Sequence, residues 1–122
     1  MGNPVVHFEI SGRDPSRRGY YARLFGWEFD TDSAVAPSVS DLGDYGFTIN
    51  DGGIPGGIGG GPEYQAHAVF YVGVEDVAVA LADAVRLGGT PVFGPEANPN
   101  GKLVVAHFRD PEGSLIGLAG PR

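Results

Sequence analysis

A chain of 122 residues is long enough for one domain that buries about two-thirds of its unfolded surface. It holds no cysteine, which excludes a disulfide framework, a thiolate metal site and a cysteine nucleophile. Fifteen acidic residues against eight basic ones leave a net charge of −7, so a phosphate-rich partner such as nucleic acid is not expected.

The opening stretch, MGNPVVHFEI, has no basic segment, long apolar run or small-residue cleavage site, so a signal peptide is not expected. No apolar run approaches the ~20 residues that span a bilayer, and a cytoplasmic protein with no membrane partner is the expectation. VVHFEI alternates as a strand does, with Val6, Phe8 and Ile10 on one face and Val5, His7 and Glu9 on the other. Asp14-Pro15 predicts a helix start, Tyr21, Leu24 and Phe25 follow at helical spacing, and Gly26 predicts the stop. WEFD and DYGFTIN read as short strands. DGGIPGGIGGG reads as a turn, a very short strand and a flexible joint, with Gly56 to Pro62 joining two halves. It lacks the Gly-Lys-Ser/Thr ending of a phosphate loop.

The same order of elements then returns. HAVFYVGV (67–74) is a strand. Asp76 caps a helix whose stripe holds Val77, Leu81, Ala84 and Val85, and Gly88-Gly89 ends it. TPVF, KLVVAHF and SLIGLAG are strands, the last two joined by the tight turn DPEG. Laying Phe8 on Phe70 and Ile10 on Val72 also lays Asp14 on Asp76. The halves thus read as two copies of one unit, a module one over 4–58 and a module two over 66–120 within a single domain.

With HFEI…DP…YY..LFGWE in the first half and V.V.DV..AL..A..LGG and F.DPEG..IGL in the second, the chain resembles the vicinal-oxygen-chelate superfamily. That is the glyoxalase, bleomycin-resistance and extradiol-dioxygenase group. The resemblance implies an α+β fold of two βαβββ modules in a curved mixed sheet around a cavity, and a homodimer. In metal-dependent members each module gives one ligand from its first strand and one from its last, and the divalent ion acts as a Lewis acid on vicinal oxygens. Carried onto this chain, the four places fall on His7, Val69, Gly57 and Gly117. A single donor among four does not encode the usual site, which takes about three or four protein ligands. The expectation is therefore no metal, with an irregular set of His7, Glu9 and His107 as the way in which a divalent cation would still be held.

Parity along KLVVAHF and the resemblance together turn His107 toward the cavity. The candidate catalytic residues are His7 and Glu9, as an acid–base pair or as polar anchors near a carbonyl. The candidate ligand-binding residues are Phe47, Tyr71 and His107. Tyr45, Phe47 and Tyr71 read either as aromatic walls for a ligand or as ordinary core. His67 reads as a solvent-accessible strand edge, and Arg17, Arg18 and Arg23 as a solvated basic helix face. Three functions remain open: a small-molecule-binding protein or metal-independent enzyme, a metal-dependent lyase or dioxygenase, and a protein that sequesters a drug or metabolite without chemistry.

Overall fold

The computed structural model describes residues 2–41, 43–49, 52–99 and 101–122. The chain forms two compact units, one over His7–Ala68 and one over Val69–Arg122 joined by the chain start through Val6. The first residues pair with the second half. The Gly73 N–H donates to the Pro4 carbonyl at 2.8 Å, and Asn3 Nδ2 donates to the Gly73 carbonyl at 3.0 Å.

Module one contains most of β1 (Val5–Gly12), a 3-10 turn (Pro15–Arg17), α1 (Arg18–Phe25), β2 (Phe29–Asp30), β3 (Gly46–Thr48) and β4 (Gly56–Gly60). Its strands lie in the order β2-β3-β4-β1. β1 and β4 are parallel, with Phe8 opposite Gly56 and Ser11 opposite Gly59, while β3 runs antiparallel to both β2 and β4. The stretch Gly56–Gly60, expected in the joint, is thus a buried inner strand. Glycine is a poor strand former, but here the neighbours leave room for nothing larger. A Cβ on Gly56 would fall 2.1 Å from the Phe8 ring, and one on Gly57 would fall 2.1 Å from the Tyr45 ring. Rings thus cover both faces of β4.

The start of α1 also departs from expectation. Asp14 caps the 3-10 turn, its carboxylate accepting from the Ser16 N–H at 3.1 Å, and α1 begins only at Arg18 without a side-chain cap. Gly26 ends it as predicted, in the left-handed region at φ 72°, its N–H bonded to the Ala22 carbonyl. α1 buries no residue completely; Leu24 and Phe25 stay exposed, and the expected stripe packs through Tyr21 onto Trp27 at 5.9 Å. Arg17 and Arg18 are not a solvated face. Arg17 Nη2 donates to the Ser11 carbonyl at 2.6 Å and Arg18 Nη1 to the Asp44 carbonyl at 2.7 Å. They tie the helix start to the end of β1 and to the loop before β3.

Module two contains most of β5 (His67–Gly73), α2 (Val77–Arg86), β6 (Thr90–Ala97), β7 (Leu103–Arg109) and β8 (Leu115–Pro121). Its strands lie in the order β5-β8-β7-β6, with β5 and β8 parallel and the rest antiparallel. Asp76 caps α2 by accepting from the Val79 N–H at 3.1 Å. Val77 and Leu81 bury against Ala106 and Leu118, while Val85 turns outward. Each such buried aliphatic contributes about 1.5–3 kcal/mol relative to exposure. The DPEG turn closes on Asp110, whose carboxylate accepts from the N–H groups of Glu112 and Ser114. Both modules therefore run strand, helix, strand, strand, strand, with the last strand parallel to the first. Among the described residues no helix is long and apolar enough to cross a membrane.

Candidate functional site

The pleat of β1 sends His7, Glu9 and Ser11 to one side, the side on which the Tyr45 ring covers Gly57 and Gly59. Across three strands, Glu9 stands opposite Gly57, and Gly57 opposite Phe47. The glycine opens a gap between the two side chains, and Tyr45 fills it from the loop before β3. Its phenol donates to Glu9 Oε1 at 3.1 Å and lies 3.0 Å from His7 Nε2. A carboxylate only accepts and a phenol has one proton. His7 Nε2 must therefore carry the hydrogen and donate to Tyr45. The far oxygen of Glu9 faces His67 Nε2 at 3.9 Å, and His67 Nδ1 donates to the Gln65 carbonyl at 3.0 Å, which orients the ring. A hydrogen-bonded chain runs His7–Tyr45–Glu9, and the His67 ring stands at its far end.

This chain is placed deep. Glu9 is 2% exposed and Tyr45 3%. Burial, then the charge of Glu9, then the hydrogen bond to it hold the Tyr45 phenol well above its usual range. Burial also lowers His7 from 6.5 to about 4, so the imidazole is neutral at physiological pH. The group is a carboxylate, a protonated phenol and a neutral imidazole in series, able to anchor a polar ligand or to pass a proton. Phe47 packs on both rings, at 5.9 Å from His7 and 4.8 Å from Tyr45.

Module two repeats the row with other residues. Tyr71 stands opposite Gly117, and Gly117 opposite His107. The Tyr71 phenol and His107 Nε2 are 2.7 Å apart, both buried, and the Phe93 ring lies 4.3 Å from the imidazole. The expected site residues therefore fall into two groups, with His7, Glu9 and Phe47 together in module one and Tyr71 and His107 together in module two.

The donor set does not suit a metal held in the manner that the resemblance implies. Of the four ligand places only His7 carries a donor, and Val69 is buried and apolar. A Cβ on Gly57 would lie 2.1 Å from the Tyr45 ring, and one on Gly117 would lie 2.5 Å from the Tyr71 ring. Neither glycine leaves room for a coordinating side chain. Among the described residues no group of three or more His, Asp or Glu side chains is arranged to hold a metal ion. The imidazoles of His7 and His107 each turn to a phenol instead.

Two members of the network escaped sequence reasoning. His67 is partly buried and faces Glu9 rather than sitting at a free strand edge. Tyr45 reads in the sequence as an aromatic wall, whereas its hydroxyl links His7 to Glu9. Parity gave the face of each strand, but not the reach of a phenol from the loop before β3.

Comparison with known proteins bears on the family and the fold. A family model described as a glyoxalase-like domain matches residues 8–119. No curated protein matches the chain. Among solved structures, Streptomyces coelicolor methylmalonyl-CoA epimerase in complex with 2-nitronate-propionyl-CoA aligns at 15% identity over 99% of this chain and 99% of that one, with a TM-score of 0.65. A hypothetical protein from Bacillus halodurans C-125 aligns at 14% identity over 100% of this chain and 96% of that one, with a TM-score of 0.63. A structure described as NAD-dependent benzaldehyde dehydrogenase from Legionella pneumophila aligns at 11% identity over 95% and 98%, with a TM-score of 0.62. At these identities the likeness is one of fold.

Proposed function

The chain belongs to the glyoxalase-like domain family, and on that premise we propose that it binds a small organic molecule on the inner face of β1 without a metal ion. The observation that carries the reading is the buried chain His7–Tyr45–Glu9, which places a carboxylate, a phenol and a neutral imidazole beside the aromatic ring of Phe47. Polar groups this deeply placed are costly to keep unless they are satisfied or used. His7 and Glu9 are the anchors, and the same chain can shuttle a proton to or from a bound carbonyl compound. Tyr71 and His107 form the corresponding polar pair of module two.

Metal-dependent lyase or dioxygenase chemistry is disfavoured by the donor set at the family's ligand places, where His7 alone is a donor. A phosphate-bearing ligand such as the acyl-CoA of the epimerase is also disfavoured. The chain has eight basic residues against fifteen acidic ones, and Arg17 and Arg18 are tied to backbone carbonyls. The test is a small-molecule screen by thermal shift, with hits mapped by NMR. Ligands that stabilise the protein and shift the His7 and Phe47 resonances support the reading. Hits that map elsewhere, and bind Tyr45→Phe and Glu9→Gln as well as the native chain, would overturn it.

A further inference from the structure

We propose that Tyr45 and Ser40 form a plug, so that the face of β1 carrying His7 and Glu9 is filled by the chain itself and admits a ligand only when the strap bearing them withdraws. The inference rests on the binding reading above and adds how that site is controlled. β3 pairs with β4 at Gly57 and Ile58, whereas β4 runs on to Gly60. At Gly60 the strap before β3, described at residues 36–41 and 43–45, takes the place of a strand. The Asp41 N–H donates to the Gly60 carbonyl at 2.9 Å, and the Gly60 N–H donates to the Ser40 hydroxyl at 2.8 Å.

The missing side chains of β4 shape the plug. A Cβ on Gly57 would lie 2.1 Å from the Tyr45 ring and 2.2 Å from its hydroxyl. One on Gly59 would lie 2.6 Å from the same ring and 2.7 Å from the Ser40 hydroxyl. Tyr45 therefore lies along two bare glycines, with its hydroxyl on Glu9. Glu9, at 2% exposed, meets no dissolved molecule while Tyr45 stands there, and the His67 ring at 3.9 Å occupies the flank of its far oxygen. From Ser40 onward the strap is held by single bonds rather than by a ladder. These are the two bonds to Gly60, the Arg18 guanidinium on the Asp44 carbonyl at 2.7 Å, and the Tyr45 hydroxyl on Glu9 and His7. Ala36 and Val39 are buried and anchor the start of the strap. Gly43 has a φ of 82° and nothing within 4 Å of where a Cβ would stand, so the chain is free to turn there. A segment held in this way opens at lower cost than the β1–β4 ladder, and a ligand that takes only the opened form is weakened by the fraction of chains open.

Native-state hydrogen exchange by NMR on the full chain tests the opening. Carboxyl labelling with a water-soluble carbodiimide and glycinamide, read by peptide mass mapping, tests whether the opening reaches Glu9. The Asp41 and Gly60 amides are expected to exchange at least about tenfold faster than those of Phe8 and Gly61, with little dependence on added urea. The latter two bond to the Pro55 and Gly12 carbonyls at the ends of the β1–β4 pair. Glu9 labelling is expected to be slow and independent of low urea, and to rise about three- to tenfold in Ser40→Ala and in Tyr45→Phe, each of which removes a hydrogen bond of the strap. If one variant folds poorly, the other variant and the urea series on the native chain carry the test. Exchange of Asp41 and Gly60 only by global unfolding, or Glu9 labelled only in urea that unfolds the chain, would overturn the plug. So would labelling that rises in His67→Ala but in neither strap variant. Ligands that map to His7 and Phe47 while Glu9 stays closed until global unfolding would remove the plug and leave the binding reading standing. A strap that opens onto Glu9 in a chain with no small-molecule ligand would leave the plug standing and remove the binding reading.

Discussion

The Tyr45→Phe substitution isolates the centre of the polar chain, because it removes one oxygen and keeps the ring that fills the space over Gly57 and Gly59. The lost oxygen donates to Glu9 Oε1 at 3.1 Å and accepts from His7 Nε2 at 3.0 Å. A hydrogen bond to a buried charged group is worth about 1.5–3 kcal/mol, and a neutral one about 1 kcal/mol. His7 is half-buried and recovers part of its bond from water, so the expected loss is about 3 kcal/mol, most of it from Glu9. Equilibrium urea unfolding should show a lower midpoint with an unchanged slope. Adding Glu9→Gln to Tyr45→Phe should recover at least about 1 kcal/mol, since the amide no longer leaves a buried charge without its phenol. A Tyr45→Phe variant within about 0.5 kcal/mol of the native chain, or strict additivity of the two substitutions, would refute the reasoning.

Other perturbations probe separate links. Gly57→Ala and Gly117→Ala place a Cβ 2.1 Å and 2.5 Å from the Tyr45 and Tyr71 rings, and overpacking of this kind costs about 1–3 kcal/mol; chemical denaturation should register both, whereas the exposed Gly19→Ala should be neutral or stabilising. Burial lowers His7 from 6.5 to about 4, so between those values the unfolded chain binds more protons than the folded one. The stability tied to His7 is therefore full above pH 6.5 and falls, by at most about 3 kcal/mol, as pH drops toward 4. Urea midpoints across that window should fall more steeply for the native chain than for His7→Gln. Leu81→Ala empties part of the core between α2 and β7–β8 and should cost about 2–5 kcal/mol by thermal or urea unfolding.

The duplicated order of elements was legible because each marker has a local cause. Asp76 caps α2, Gly26 closes α1 with a positive φ, and Asp110 closes its turn, all from residues within a few positions of one another. The inner face of β1 was legible from parity alone, which put His7 and Glu9 together. β4 was legible only as a very short strand before a joint, since GGIGG has neither alternation nor strand propensity, and its place is fixed by the Phe8 and Tyr45 rings. The same holds for Arg17 and Arg18, whose partners Ser11 and Asp44 are backbone carbonyls that no charge pattern reveals. Tyr45 and His67 joined the site through contacts with Glu9 that depend on tertiary packing, and the exposed Leu24 and Phe25 of α1 show a helical stripe that its own module does not bury.

In this glyoxalase-like chain, tyrosine-centred polar pairs stand where the resemblance would set a metal. Elemental analysis tests it most directly, on untagged protein loaded with zinc, nickel, manganese or ferrous iron and then dialysed without chelator. Metal far below one ion per chain is expected for every cation, with no difference between the native protein and His7→Ala. Close to one ion per chain, lost in His7→Ala, would contradict it.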